Sequence, residues 1–325
     1  MQITKPWLYL PAQVTYNIGH PLLKIWAKVR KQQTFNWQQF DWRGLHFNNP
    51  LGTSGGIDKN AELIEAWWSF GAGFVEIGTV TPRPQKPNSG KILGRNVGHL
   101  ALWNKMGFPN DGALSVKARL DKIRRPYPTP LFINIGKNRD TDNLHASEDY
   151  LYCIRELKSY ADVFVVNISS PNTADLRQLL KPENLQILLR PIAEECRNAK
   201  PLILKLSPDM SISAFKEALD ISYELGISGW IISNTTLNRA EGLNFPKEGG
   251  VSGLPVADRA KAFLKLAVEH LGERRFDRLL ISSGGILTPQ DVFERLHIGA
   301  QLVQVYTGLV FNGPLFFSHV AQEVK

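Results

Sequence analysis

The 325-residue chain carries 38 Lys and Arg against 30 Asp and Glu, which gives a formal net charge of +8 at pH 7. Its two cysteines cannot form a disulfide framework, its seven histidines show no metal-ligand spacing, and no run of about twenty apolar residues is present to cross a bilayer. The length fits one large domain with a small appendage, and the basic excess is compatible with an anionic substrate, an anionic lipid surface or nucleic acid.

Residues 1–41 are predicted to form a small N-terminal helical extension. Within them, residues 21–31 have the spacing of a basic amphipathic helix. The apolar face contains Leu22, Ile25, Trp26 and Val29, and the basic face contains Lys24, Lys28 and Lys31. Such a helix with a tryptophan suits a membrane surface, although its apolar face could equally pack on the rest of the protein.

From residue 42 onward, strand-like runs alternate with helix-like runs. The predicted strands are 49–55, 74–80, 131–136, 163–169, 202–207, 229–235, 279–285 and 302–308. The predicted helices include 61–70, 150–161, 212–225, 256–271 and 289–296. Eight strands in this alternation predict an α/β fold, a (β/α)₈ TIM barrel over residues 42–325. An open doubly wound sheet would usually carry its phosphate-binding glycines after the first strand, whereas here a Gly-Gly pair follows the seventh.

The carboxyl ends of the predicted strands are rich in polar residues and glycine. The clearest case is the apolar run 163–166, which continues into Asn-Ile-Ser-Ser-Pro-Asn-Thr at 167–173. A buried strand has no packing reason to end in amides and hydroxyls, and barrel enzymes place their chemistry at this end. At a single strand end, these residue types could simply form an ordinary turn. Seven such strand ends on one face of a barrel instead predict a ligand site.

Two further features indicate what that ligand is. Lys205 lies in an otherwise apolar strand, and a buried lysine needs an anionic partner or loses its proton. The segments 283–285 (Ser-Gly-Gly) and 306–308 (Tyr-Thr-Gly) suit a phosphate, because glycine lets backbone N–H groups approach an anion. A lysine, several amides and a phosphate site together suggest flavin mononucleotide (FMN).

Several separate motifs, in matching order and spacing, cover most of the chain. They occupy 44–52, 58–59, 76–85, 104–108, 134–138, 167–173, 249–253 and 303–308. With these motifs the chain resembles the class 2 dihydroorotate dehydrogenases, the membrane-associated, quinone-linked enzymes of pyrimidine synthesis. Soluble relatives that use fumarate or nicotinamide carry cysteine at the position of Ser170. The resemblance implies a peripheral protein on the cytoplasmic face of the bacterial inner membrane, with ubiquinone or menaquinone as acceptor.

The resemblance also implies roles for individual residues. Ser170 would be the base that removes a proton from C5 of dihydroorotate, with Thr173 and a water as its proton relay. The substrate residues implied are Lys59, Asn104, Lys105, Met106, Gly107, Phe108, Asn167, Asn172, Asn234 and Thr235. The flavin residues implied are Ser54, Gly55, Thr79, Asn134, Asn167, Lys205, Ser233, Gly253, Gly285, Tyr306 and Thr307.

Two other functions are considered. A flavin-dependent tRNA dihydrouridine synthase is also a basic barrel, but it would need a catalytic cysteine after a barrel strand and a C-terminal helical domain. Neither feature is recognised in this sequence, so this function is disfavoured and nucleic acid is not expected as a partner. A flavin-binding barrel without turnover is disfavoured by the presence of Ser170, Thr173 and Lys205 together. The chain departs from the family pattern at Lys105, where arginine is usual, and in the segment 90–95 on the expected quinone side.

Overall fold

The computed structural model describes residues 5–197 and 199–324, so residues 1–4 of the predicted extension and the last residue of the predicted barrel lie outside it. The strands are β1 (Phe40–Trp42), β2 (Leu45–Phe47), β3 (Leu51–Thr53), β4 (Val75–Val80), β5 (Leu93–Asn96), β6 (Ala101–Asn104), β7 (Leu131–Ile135), β8 (Val163–Asn167), β9 (Leu202–Lys205), β10 (Gly229–Ile232), β11 (Gly250–Gly253), β12 (Leu279–Ser283) and β13 (Leu302–Val305). The helices are α1 (Ala12–Val29), α2 (Ile64–Ser69), α3 (Ala113–Leu120), α4 (Ala146–Leu157), α5 (Pro182–Cys196), α6 (Ile212–Glu224), α7 (Ala257–Leu271), α8 (Pro289–Ile298), α9 (Thr307–Asn312) and α10 (Phe316–Gln322).

The predicted barrel is confirmed. Eight parallel strands follow the order β3-β13-β12-β10-β9-β8-β7-β4. Gly52 and Phe74 form a parallel bridge between the first and last strands of this order, which brings the sheet round on itself. All eight predicted strands are present and each is shorter than predicted; in seven of them the last predicted residues leave the sheet and form the loops at its carboxyl end, whereas β4 starts one residue later than predicted.

The inside of the barrel is divided into an apolar lower half and a polar upper half. Successive inward-facing positions of one strand show this change: Val163 and Val165 lie in the apolar interior cluster, and Asn167 follows them on the same face. The interior cluster consists of Phe47, Phe74, Phe132, Val163, Val165, Ile203, Ile231, Leu279, Ile281 and Leu302. The antiparallel hairpin β1–β2 closes the lower end, where Phe47 packs edge-on against Phe74 and Phe132. Polar groups are therefore confined to the carboxyl end.

A three-stranded antiparallel sheet, which was not predicted, is formed by segments inserted into the barrel. Its strand order is β11-β6-β5, and it pairs Gly250 with Asn104. Trp103 is buried within it and donates its indole N–H to the Glu248 carbonyl at 2.7 Å. A bridge between Thr236 and Val251 ties the sheet to the loop after β10. The sheet thereby fixes Asn104 next to the carboxyl end of the barrel.

The helix predicted at residues 21–31 has different bounds. It begins at Ala12, nine residues earlier, and ends at Val29, so Pro21 lies inside it. Proline removes one hydrogen bond of the helix, and here that loss does not end it. The segment before α1 is fixed to the barrel, because Trp7 donates to the Val310 carbonyl at 2.8 Å and Arg95 donates to the carbonyl of Trp7. Within the described residues no helix is both long and apolar enough to span a bilayer.

Candidate active site

A cavity with about 970 Å³ of empty space, part of which is open to solvent, lies at the carboxyl end of the barrel. Most residues proposed from the motifs line it. They are Ser54, Gly55, Lys59, Thr79, Asn104, Met106, Gly107, Phe108, Asn167, Ser170, Asn172, Lys205, Ser233, Asn234, Thr235, Gly285, Tyr306 and Thr307. Residues from both ends of the chain meet here because parallel strands bring their carboxyl ends to one face.

Four of the proposed residues do not line the cavity. Lys105 forms an ion pair with Glu248, so its role in substrate binding stays a prediction. Asn134 and Thr173 are buried behind the cavity wall. Gly253 lies next to the wall, where a side chain would collide with the Leu100 carbonyl at 2.1 Å.

The amides and hydroxyls of the cavity form one hydrogen-bonded network. Asn167 Nδ2 donates to Thr79 Oγ1 at 2.9 Å, and Thr79 Oγ1 donates to Asn134 Oδ1 at 2.6 Å. On the other side of the cavity, Asn172 Nδ2 donates to Asn104 Oδ1 at 2.7 Å, while the buried Asn172 Oδ1 has no partner among the described residues. These groups are held in fixed positions, and some retain free hydrogen-bonding capacity for a polar ligand.

The anionic partner expected for Lys205 is Glu76 of β4. Lys205 Nζ lies 3.3 Å from Glu76 Oε1, and both side chains are buried. Asn134 Nδ2 donates to the same oxygen at 2.7 Å, and Gln304 donates to the other carboxylate oxygen. Three donors from three strands thus surround this carboxylate. A buried ion pair with this many hydrogen bonds holds the lysine charge at the cavity wall.

Ser170 follows β8 and is nearly buried, with 6% exposure. Its Oγ accepts the backbone N–H of Asn172 at 3.2 Å. Nearby in the chain, Thr173 Oγ1 is buried and has no hydrogen-bond partner in the part of the chain that the structure describes. A buried hydroxyl without a partner usually has an ordered water beside it.

Lys59 makes a contact that was not foreseen from the motifs. Its Nζ donates to the Gly56 carbonyl at 2.6 Å and to the Tyr16 hydroxyl at 3.0 Å, and it lies 4.9 Å from the Tyr16 ring centroid. Burial alone would lower the pKa of Lys59, but the Tyr306 and Tyr16 oxygens and Asp58 together raise it. Lys59 is therefore cationic at neutral pH, and α1, through Tyr16, reaches the active-site cavity.

The loop after β12 fits an anion. The backbone N–H groups of Gly284 and Gly285 have no acceptor within residues 5–197 and 199–324. A side chain at Gly285 would lie 2.4 Å from the Ala257 Cα, so only glycine allows this close approach. Gly284 and Gly285 line the cavity together with Thr307. The glycine cradle expected for a phosphate is therefore present, and its free N–H groups are suited to it.

Several cavity or supporting residues were not proposed from the motifs. Those that line the cavity are Gly56, Pro109, Ser252, Val256, Ile286 and Gln304, whereas Ser283 and Gly284, which also line it, belong to the segment predicted to hold a phosphate. A supporting residue is Arg177, which pairs with Asp209 at 2.8 Å and donates to the carbonyls of Ser169 at 3.0 Å and Thr235 at 3.1 Å. Gln304 could have been found from its polar position inside an apolar strand, whereas nothing local in the sequence indicates the contacts of Arg177.

The two cysteines are buried in helices, as predicted, and neither lines the cavity. Burial raises the pKa of Cys153 and raises that of Cys196 to about 12. Neither thiol is a nucleophile or acid at neutral pH. This disfavours the alternative chemistry that requires a catalytic cysteine.

A second, apolar cavity with about 2230 Å³ of empty space lies between α1 and the barrel. Residues of α1 that line it include Tyr16, His20, Leu22, Leu23 and Trp26. Ile25 and Val29, which were expected on the same face, do not line it. The two cavities share three wall residues, which are Asn104, Ser252 and Tyr306.

The fold and the two adjoining cavities are those of a (β/α)₈-barrel enzyme, in which free backbone N–H groups follow the seventh barrel strand. The family model for dihydroorotate dehydrogenase matches residues 39–325. The chain therefore belongs to the dihydroorotate dehydrogenase family.

Individual relatives agree with this assignment. The chain is 46% identical over 277 residues to "Dihydroorotate dehydrogenase (quinone)" of Thermus thermophilus, covering 84% of this chain and 78% of the relative. It is 36% identical over 317 residues to the protein of the same name from Halobacterium salinarum, covering 94% and 88%. The structure of Eimeria tenella DHODH in complex with ferulenol superposes with a TM-score of 0.86 at 29% identity, covering 95% of this chain and 90% of that one.

Proposed function

We propose that this protein oxidises (S)-dihydroorotate to orotate and passes the electrons to a quinone, as a step of de novo pyrimidine (UMP) synthesis. The observation that carries the proposal is the pair of adjoining cavities. One is polar and contains Ser170 among asparagines, the other is apolar, and they share Asn104, Ser252 and Tyr306. The names of the relatives support the same reaction and acceptor class.

The cofactor of this reaction is FMN in our proposal. Its phosphate would be held by the N–H groups of Gly284 and Gly285 with Thr307. Its ring would lie against Thr79, Asn167 and Lys205, with Ser54, Gly55, Ser233 and Tyr306 completing the contacts. When bound, FMN supplies the hydride acceptor for C6 of the substrate and the electron donor for the quinone. Lys205, held in place by its ion pair with Glu76, would stabilise negative charge that develops near it.

Ser170 is the proposed base for the C5 proton. A serine hydroxyl is a weak base near neutral pH and needs a route along which its proton can leave. Thr173 Oγ1, buried and without a partner among the described residues, is the proposed next group in that route, through an ordered water. The carboxylate and ring edges of the substrate would be recognised by Lys59 and by Asn104, Asn172, Asn234 and Thr235, since amides both donate and accept.

The apolar cavity under α1 is the proposed entrance for ubiquinone or menaquinone. Leu22, Leu23 and Trp26 offer an apolar wall that leads toward Tyr306. Residues 1–41 would then form a distinct functional part beside the barrel of residues 42–325.

The outer side of α1 is proposed to rest on a membrane surface. An exposed apolar stripe runs along it through Val14, Ile25 and Val29, and Ile18 and Leu22 lie at the border between this stripe and the apolar cavity. Lys28 lies beside this stripe and is exposed, as is Lys31 just after the helix. An apolar stripe with basic neighbours suits a peripheral protein on an anionic bilayer, here the cytoplasmic face of the bacterial inner membrane.

The proposal is tested by the flavin and the product. The purified protein is expected to carry a non-covalent flavin that acid releases as FMN, and dihydroorotate with a quinone analogue should yield orotate. A protein that binds no FMN on reconstitution, or that forms no orotate when loaded with FMN, would refute the proposal.

A further inference from the structure

A buried arginine lies behind one wall of the active-site cavity. Arg295 of α8 has 0% exposure. Its Nη2 donates to the carbonyls of Ala257 at 3.0 Å and Gly284 at 3.2 Å, and its Nη1 lies 3.5 Å from Ser282 Oγ. Its Nε has no hydrogen-bond partner in the described part of the chain. Carbonyl and hydroxyl oxygens carry only partial charges, so these contacts do not neutralise the guanidinium.

The nearby carboxylates are engaged elsewhere, and no ion pair with Arg295 occurs between residues that the structure describes. Asp291 accepts the backbone N–H groups of Leu287 at 2.9 Å and Thr288 at 2.8 Å, which caps α8. Asp258 and Glu294 both pair with Lys261, at 3.1 Å and 3.5 Å. Burial lowers the pKa of Arg295 to about 10, which still leaves it charged at neutral pH.

The loop that Arg295 touches is the glycine cradle of the cavity. Gly284, whose carbonyl accepts from Arg295, lines the cavity, and so does Val256, which precedes the second acceptor, Ala257. The N–H groups of Gly284 and Gly285 are free of protein acceptors among the described residues. A cation without a counter-ion and two free donors on the same loop both indicate an anion at this wall.

We propose that Arg295 is a positioning residue that supplies the positive charge by which the site selects a phosphorylated flavin over an unphosphorylated one. A phosphate monoester carries a charge of about −1.5 to −2 at neutral pH, so it would add negative charge near a guanidinium that forms no ion pair with the described residues. The guanidinium also holds the Gly284 carbonyl from behind, which orients the loop. The inference rests on the proposed function, because it takes the bound anion to be the FMN phosphate.

The test compares FMN with riboflavin, which has the same ring but no phosphate. Flavin-free, full-length wild type, Arg295→Met and Arg295→Lys are titrated with each flavin while flavin fluorescence is followed. Arg295→Met should weaken FMN binding by about tenfold or more, which corresponds to about 1.4 kcal/mol, and change riboflavin binding by less than about threefold. Arg295→Lys keeps the charge and should retain most of the preference for FMN.

The outcomes separate this inference from the proposed function. If Arg295→Met binds FMN as tightly as wild type, or loses both flavins equally, Arg295 is only a structural residue and the inference is wrong. A wild-type protein that binds neither flavin would instead overturn the proposed function. Thermal unfolding of the flavin-free proteins reports whether each variant folds, and Arg295→Gln replaces the Met variant should that variant not fold.

Discussion

The two cavities differ in how their residues are specified. In the polar cavity each contact joins defined atoms, as between Asn167, Thr79 and Asn134, and the partners come from different strands. In the apolar cavity the wall consists mainly of side chains of α1 and apolar residues of the barrel that face each other without directional contacts. Directional hydrogen bonds demand particular residue types at particular positions, whereas apolar contact is non-directional and tolerates exchange. Motifs therefore identify the first cavity far better than the second.

Helix α1 joins the two regions. Its inner side lines the apolar cavity, and its Tyr16 also hydrogen-bonds Lys59 of the polar cavity at 3.0 Å. If α1 contributed only to the proposed quinone entrance, removal of residues 1–40 would affect only the reaction with the acceptor. The contact with Lys59 means that such a deletion disturbs both cavities, so point substitutions separate them more cleanly.

The largest effect is expected at Ser170. Ser170→Ala should slow flavin reduction by dihydroorotate by roughly 10²–10⁴-fold, because the general base is lost, while orotate binding stays nearly unchanged. Ser170→Cys keeps an ionisable group whose ordinary pKa of about 8.5 lies below that of an alcohol, and should retain more activity. Anaerobic stopped-flow absorbance measures both rates, and a wild-type rate in Ser170→Ala would place the base elsewhere.

The next effect concerns the buried pair of the polar cavity. Lys205→Met should lower the free energy of unfolding by about 3–5 kcal/mol, since it leaves the Glu76 carboxylate buried without its cation. The double variant Glu76→Gln/Lys205→Met is the matched control and should recover much of this loss. Urea unfolding of all three proteins tests the coupling, which would be disproved if the two variants were equally unstable.

A smaller effect is expected in the apolar cavity. Leu23 lines it and Ile25 does not, although both lie on α1. Leu23→Ser should raise the quinone concentration needed for half-maximal reoxidation by roughly tenfold, because burial of a leucine side chain contributes about 1.5–3 kcal/mol. Ile25→Ser is the control and should leave this value unchanged. Equal effects of the two substitutions on quinone reoxidation would mean that the acceptor does not enter here.

The smallest effect is expected at the membrane surface. Lys28→Gln and Lys31→Gln should each weaken binding to anionic vesicles by about 1 kcal/mol, and high salt should remove the difference. Lys24→Gln is the control, because Lys24 lies 3.7 Å from Glu62 and pairs within the protein. Vesicle sedimentation provides the measurement. Unchanged sedimentation of the Lys28 and Lys31 variants would contradict the proposed orientation of α1.

The elements predicted correctly are those with strong local patterns. Apolar runs such as 163–166 mark the barrel strands, and glycine with polar residues marks their ends. The sheet of β5, β6 and β11 was missed because its strands are short and β11 pairs with β6 across about 150 residues of chain, which no local pattern encodes. Likewise, Lys205 was expected to have an anionic partner, but only the closed barrel brings Glu76 to it.

The start of α1 was wrongly placed for a different reason. The basic amphipathic spacing was recognised only over residues 21–31, while the structure extends the helix back through Pro21 to Ala12. Lys24 was expected on a membrane-facing side and instead pairs with Glu62. Both differences arise from tertiary packing of α1 against the barrel, which overrides the local preference.

Sequential mixing of the FMN-loaded protein tests the central claim, that two adjoining cavities serve two half-reactions. Dihydroorotate added without oxygen should bleach the flavin absorbance, and a ubiquinone analogue added next should restore it. Fumarate or a nicotinamide added in place of the quinone should restore it far more slowly. Absence of bleaching by dihydroorotate, or faster recovery with fumarate or a nicotinamide than with any quinone, would contradict this account.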